Sequence, residues 1–366
     1  MRSNYRNILI AFLILFFTIS IIPSVLGKTR RIYLTDYIYS NEIESQGFEN
    51  GISPLNDISF EATAYALEML DILGRTAHDI TNLQTNLEDE ISSMFSRDAV
   101  NLYDLYFLLR SLFFTQNDYS IEGSLTNRIY QYLNGTEQVG GGFSFINTTM
   151  TPSLSSTFFV VKIHSMLAPS QTLQNITLHK DWILLNNNTD GGYGNTTSTL
   201  LSTYYTVCLM DHLASVNDLV DKSKTLSYLN SFYVDNPSDI NNVGGYLADL
   251  TSKSSLLSSS FYCVMGISLI NKSFLDADKT TKWALSRQNF QDGGFADITE
   301  GSDQLSSSLI GSYYAIKTLA AFDPNLGKLT VEIWMVEFNY WILIFLMGGI
   351  GILAAISVFL WRRRRI

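Results

Sequence analysis

Asp190-Gly191-Gly192-Tyr193, Gly244-Gly245-Tyr246 and Asp292-Gly293-Gly294-Phe295 are copies of one short phrase, and Gly141-Gly142-Phe143 is a fourth. Their aromatics fall 50, 53 and 49 residues apart. Each copy is followed by a polar loop and a strongly apolar stretch: Leu154 to Leu167, Leu200 to Leu213, Leu256 to Ile270 and Leu305 to Ala321. Stepping back from Phe143 reaches Phe95, which lacks the glycines, and then Gly47-Phe48, which has one; Leu102 to Phe113 and Phe60 to Leu73 are the apolar stretches that follow. Self-similarity at a fixed period of this length marks a repeat architecture. Six repeats fill the body and leave no room for a second domain.

The apolar stretches are hydrophobic nearly all round, as helices buried on most faces are. Between them lie amphipathic segments such as Leu219 to Phe232 and Leu275 to Arg287, where Lys222, Lys224, Lys279 and Lys282 can face water beside Leu226, Leu229 and Trp283. Six inner helices alternating with six outer ones predict an all-α, closed double barrel, with Tyr33 to Glu44 as the first outer helix. An open helical array is the alternative, since repeats of this length build those too. Glycines permit positive φ and close backbone approach at each turn. The aromatics Phe48, Phe95, Phe143, Tyr193, Tyr246 and Phe295 are therefore expected at equivalent junctions between repeats.

Gln291-Asp292-Gly293-Gly294-Phe295, a polar loop and the helix Ser306-Ser307-Ser308-Leu309-Ile310-Gly311-Ser312-Tyr313-Tyr314-Ala315 together resemble the repeat of protein prenyltransferase β-subunits and squalene/terpene cyclases. The resemblance covers roughly residues 47–321 and implies an (α/α)6 toroid of six repeats whose inner helices surround an apolar, isoprenoid-holding funnel. It does not extend to the chemistry. Prenyltransferases bind catalytic zinc through an Asp-x-Cys pair and a His on the next inner helix; Asp-x-Cys is missing here, and Ser259 stands where the histidine belongs. The cyclases' Asp-x-Asp-Asp cluster is also missing. No catalytic residue, metal or cofactor is expected on these grounds.

Of 24 Lys+Arg and 34 Asp+Glu, six arginines (Arg2, Arg6 and Arg362 to Arg365) lie outside residues 28–340, so the middle carries 18 basic against 34 acidic groups, a net of −16. Such a body repels phosphate backbones and excludes nucleic acid as a partner. Ile8 to Ile22 is a 15-residue apolar run behind two arginines, broken at Pro23 and followed by Val25-Leu26-Gly27, which reads as a signal peptide over 1–27, with a retained anchor as the alternative. Ile342 to Leu360 gives 19 uncharged residues, flanked by Tyr340, Trp341 and Trp361 and followed by four arginines, which reads as a transmembrane helix over 341–361 with a cytoplasmic tail at 362–366. The expected protein is a single-pass type I membrane protein with an extracellular or lumenal toroid over 28–323 and a linker over 324–340. Sequons at Asn134, Asn147, Asn175, Asn187, Asn195 and Asn271 are glycosylation candidates, although a chain this rich in Asn, Ser and Thr carries about as many by chance.

Hydroxyls gather at the inner-helix starts, with Ser156, Thr203, Ser259 and Ser307 alongside Tyr204, and the first two repeats contribute Glu61 and Asp104. They read either as helix caps or as the lining of the funnel mouth. Glu61 and Asp104 could also form a glycosidase-like acid/base pair. Asn186 to Asp190 matches the start of a calcium loop, but the twelfth position is Thr197 rather than Glu, which favours a polar turn. Cys208 and Cys263 sit at near-equivalent positions and read as free thiols or a bridge. The first functional reading is a noncatalytic toroid that binds a ligand or protein partner; the alternatives are a divergent isoprenoid enzyme or a carbohydrate-active enzyme.

Overall fold

Five backbone amides, each on an aromatic that follows a glycine, reach across to a hydroxyl of the next inner helix. In a computed structural model, the N–H of Phe48 donates to Thr63 Oγ1 at 2.9 Å, that of Phe143 to Thr157 at 3.0 Å and that of Tyr193 to Thr203 at 2.9 Å. The N–H of Tyr246 donates to Ser260 Oγ at 3.0 Å and that of Phe295 to Ser312 Oγ at 2.9 Å. All five aromatics are buried. The hydroxyl thus serves a buried amide that would otherwise lack a partner, and it ties each turn to the first turns of the helix it feeds.

The structure describes residues 28–51, 57–115, 121, 123–146, 151–167, 173–298 and 306–333. Within them the chain forms α1 (Arg30–Ser40), α2 (Phe60–Ile72), α3 (Ile80–Ser96), α4 (Leu102–Thr115), α5 (Gly123–Thr136) and α6 (Leu154–Leu167). It continues as α7 (Ile176–Leu185), α8 (Leu200–Leu213), α9 (Lys222–Asn230), α10 (Leu257–Asn271), α11 (Ala277–Ser286) and α12 (Leu309–Phe322). Even-numbered helices are inner and, α8 apart, bury most of their residues, nine of thirteen in α2 for example. Odd-numbered helices bury one stripe, as α3 does with Leu83, Leu87, Ile91 and Met94 at helical spacing.

The inner helices pack side to side in order, and α12 returns to α2. The ring is therefore closed. Asn50, just after the first turn, accepts the Leu309 N–H through its carbonyl at 2.7 Å and the Ile310 N–H through Oδ1 at 3.0 Å. The glycines show why closure needs this sequence. Gly191, Gly244 and Gly293 have φ of +87°, +94° and +95°, and a Cβ on them would lie 2.5 Å from the Lys224 carbonyl carbon, 2.4 Å from Lys279 O and 2.2 Å from Tyr33 O. Each turn thus lies against the backbone of the next outer helix, and the sixth turn finds the first outer helix, α1.

The second repeat departs from expectation. Phe95 does not occupy a turn; it sits on the last turn of α3, edge-on to Tyr132. Without the glycine pair the helix runs on, then closes with Asp98 at φ 52° and the Ala99 N–H donating to Met94 O. Asn101 Oδ1 takes the Tyr103 N–H at the start of α4. At the other end of the chain α12 begins at Leu309 rather than Leu305, because Ser308 is extended and caps the Gly311 N–H. The first outer helix ends at Ser40 rather than Glu44, where the short antiparallel strands β2 (Glu42–Ile43) and β3 (Gly47–Phe48) take over. The compact unit extends to Leu329, beyond the boundary expected at residue 323, because Leu326 and Leu329 are buried.

A separate small pairing joins β1 (Lys28–Thr29) to β4 (Glu332–Ile333). The signal-like run, Asn147, the segment expected to span a membrane and the arginine tail lie outside the described residues. Among described residues, no helix is long and apolar enough to cross a membrane.

Candidate functional site

The six inner helices start at the end where the turns lie, and their side chains enclose a cavity of about 480 Å³. Its wall is aromatic. Tyr65 stacks flat on Tyr313 at 3.9 Å, Phe158 stacks on Tyr205 at 4.4 Å, and Tyr103 meets Phe107 edge-on at 4.7 Å. On the far side Tyr204 bridges Phe261 and Tyr262, and the Tyr262 and Tyr314 hydroxyls bond at 3.1 Å. The π faces offer a polarisable, largely water-excluding surface, and burial raises the pKa of these phenols, which keeps them neutral donors.

Five charged side chains enter this wall: Glu61, Glu68, Arg110, Lys162 and Lys317. Glu61, in the first turn of α2, is partly buried and accepts a bond from the Tyr103 hydroxyl. Burial raises its pKa, opposed by bonds from Tyr103 and Tyr65 and by the Arg110 charge. Glu68 binds Arg110 through Oε2 and Lys317 Nζ through Oε1, the latter at 2.9 Å. Burial alone would raise the Glu68 pKa, but the charges of Arg110 and Lys317 outweigh it and hold the carboxyl below its usual range. The Arg110 guanidinium also lies over the Tyr65 and Tyr313 rings at 4.9 and 5.2 Å and donates to Tyr313 Oη at 2.5 Å.

The expected hydroxyl ring divides on inspection. Tyr204 and Glu61 line the cavity, whereas Ser156, Thr203, Ser259, Ser307 and Asp104 do not. Ser156 is buried against the Phe143 carbonyl, Thr203 holds the Tyr193 amide, and Ser307 donates to Asp292 Oδ1 at 2.8 Å. Ser259, at the position of the family's zinc histidine, is also buried away from the cavity. Ser156, Thr203 and Ser307 thus hold turns and helix starts, the structural side of the two readings given above. Asp104 is not among the side chains that line the cavity holding Glu61, and its pKa is raised by burial and then by the charge of Glu90.

Among the described residues no cluster of three metal-ligating side chains occurs. In the calcium-like segment, Asp190 Oδ1 is occupied by the Gly192 N–H at 3.0 Å and the Ser198 hydroxyl at 2.6 Å, so it closes the turn. Cys208 and Cys263 are both free, and burial raises each thiol's pKa, that of Cys208 to about 11. Of the described sequons, Asn134, Asn175, Asn195 and Asn271 are exposed, whereas the amide nitrogen of Asn187 is buried and has no room for a glycan.

Sequence reasoning passed over Glu68, Arg110, Lys162 and Lys317. The signal was available: each is a charge in the middle of a largely apolar helix, where an ionic side chain is costly unless paired or used.

The sequence model of the prenyltransferase alpha-alpha toroid domain matches residues 7–333. Among solved structures, Candida albicans protein geranylgeranyltransferase-I complexed with GGPP is similar at 16% identity and a TM-score of 0.54, covering 77% of this chain and 90% of that one. The type II terpene cyclase from Scytonema is similar at 11% identity and a TM-score of 0.53, with 80% and 97% covered. A variant of that cyclase, in complex with geranylgeranyl dihydroxybenzoate as substrate, gives 10%, 0.53, and 81% and 97%. At such identities the likeness is one of fold. No curated protein matches in sequence.

Proposed function

Because this chain belongs to the prenyltransferase alpha-alpha toroid domain family, we propose that its central cavity binds a hydrocarbon chain of the isoprenoid class. The observation that carries this reading is the aromatic wall contributed by all six inner helices around about 480 Å³, a volume in the range of small-molecule sites. Two of the structures similar in fold hold geranylgeranyl groups. Transfer of the chain to a cysteine thiol is not part of the proposal. That chemistry needs a metal-activated thiolate, and the Asp-x-Cys pair is absent from the sequence.

The setting is proposed together with the ligand: an exported toroid tethered by the 342–360 segment, with Arg362 to Arg365 on the cytoplasmic side. Protease added to intact cells should remove the body, and a protected body would reverse this topology.

The binding test uses the purified full-length protein and tritiated geranylgeraniol. Saturable binding of one molecule per chain, lost when Met265→Trp plugs the cavity, is the expected result. Binding that does not saturate, or that ignores the plug, overturns the reading.

One observation favours a second reading, that the chain acts on its ligand. Glu61 is a carboxyl with a raised pKa among aromatic rings, the environment of a proton donor to an alkene. Incubation with a polyprene should then yield a cyclised product that Glu61→Gln abolishes; recovery of unchanged polyprene returns the protein to the binding reading.

A further inference from the structure

Charge in the cavity is sorted by depth. Glu61 and Glu68 are seven residues apart on α2, as Tyr103 and Arg110 are on α4, an interval of about 10 Å at about 1.5 Å per residue. The level near the helix starts holds Glu61 and phenols, among them Tyr103, Tyr262 and Tyr314. The level two turns further in holds Lys317, Glu68, Arg110 and Lys162, on the four successive inner helices α12, α2, α4 and α6. Three cations against one carboxylate leave this deeper level at +2.

That surplus is not an accident of a basic protein, because the body carries a net of −16 and has 34 carboxylates to choose from. Glu68 answers Arg110 and Lys317 together. Lys162 lines the cavity, is partly buried and lies 5.8 Å from the centre of the Phe158 ring, and no described carboxylate is within ion-pair distance of it. An ammonium on the same cavity level as the Arg110–Glu68–Lys317 group adds positive charge that no carboxylate of that level offsets. An anion placed between Lys162 and the Arg110–Lys317 pair relieves it. The Glu61 end, with its carboxyl and phenols, offers no such partner to an anion.

We propose that the cavity's ligand is a single-chain amphiphile whose compact anionic head, a carboxylate or a phosphate monoester, sits at the deeper level against Lys162, Arg110 and Lys317. Its hydrocarbon lies along the aromatic wall towards Glu61. This rests on the reading that the cavity holds a hydrocarbon chain, and it adds the head group and the direction in which the ligand lies.

The test compares geranylgeraniol, geranylgeranyl phosphate, the C20 prenyl carboxylate and geranylgeranyl diphosphate on the full-length protein. The phosphate and the carboxylate are expected to bind about thirtyfold or more tighter than the alcohol, the equivalent of roughly 2 kcal/mol for one desolvated charge pair. Lys162→Met should erase most of that difference between the anions and the alcohol, because the uncharged head gains nothing from the pair. Lys162→Arg should restore it. Equal binding of alcohol and anions overturns the proposal while sparing the hydrocarbon reading, whereas failure of all four overturns both. A preference confined to the diphosphate, or one that survives Lys162→Met, places the head elsewhere and also refutes it.

Discussion

Gly293→Ala tests ring closure at a single atom. The residue has φ +95°, a region that costs an L-residue about 1–2 kcal/mol. Its new Cβ would stand 2.2 Å from the Tyr33 carbonyl oxygen and 2.7 Å from that carbonyl's carbon. Both belong to backbone, so the whole of α1 must shift by over 1 Å to reach ordinary contact, and overpacking of this kind costs about 1–3 kcal/mol. The sum is about 2–5 kcal/mol, or a fall in melting midpoint of roughly 4–10 °C at about 2 °C per kcal/mol for a large domain. Gly74→Ala is the control: it has φ +62° with no atom within 4 Å of the added carbon, and it should lose only the backbone term, about 1–2 kcal/mol. The assay is thermal unfolding of the full-length protein at a fixed scan rate, with Gly191→Ala alongside as an internal joint of the same kind. Gly293→Ala and Gly191→Ala should melt together and well below Gly74→Ala. If Gly293→Ala melted with Gly74→Ala, α1 would not be seated on the sixth turn.

Other consequences can be measured in the same way. Thr203→Val removes the acceptor of the buried Tyr193 amide and should cost about 1–3 kcal/mol in chemical denaturation, whereas Thr206→Val, which replaces a buried hydroxyl with no partner, should be neutral or stabilising. Glu68→Gln leaves Arg110 and Lys317 without their shared carboxylate and should lose about 3–5 kcal/mol. Because the folded pKa of Glu68 is depressed, its contribution is present above the unfolded value of about 4.3 and is lost as pH falls through the folded value, so a pH series of denaturation curves should show an acid limb that the variant lacks. Glu61 has the opposite sign. Its raised pKa gives a contribution present below about 4.3 and lost as pH rises through the folded value, and Glu61→Gln should flatten that limb.

The fold was legible because its punctuation is local. A glycine pair and an aromatic, repeated near fifty residues and trailed by an apolar run, carry enough information to place five of the six turns, and the hydroxyl that receives each aromatic amide lies in the helix that follows. Phe95 failed because spacing was extended into a repeat where the glycines are missing, and the chain simply prolonged α3. The site was legible only in part. The cap-forming serines caught the eye because hydroxyls cluster at helix starts, yet Thr203 and Ser307 serve turns whose geometry no spacing reveals. Lys162, Arg110 and Lys317 are separated by 52 and 207 residues, and only the closing of the ring brings them to one cavity level. Long-range convergence of this sort leaves its trace as single charges in apolar helices, which say that something is there but not what they meet.

The seating of α1 on the sixth turn also sets a clock. Tyr37 lies against Gly294, and the two are separated by 257 residues of chain. At synthesis rates of roughly 5–20 residues per second, the first helix is made about 13–50 s before the surface that will cover it. Through that interval Tyr37 lacks the Gly294 turn that covers it, although α1 can already bond to the Leu73 and Thr76 carbonyls. The ring can therefore close only once the sixth turn has emerged to meet α1.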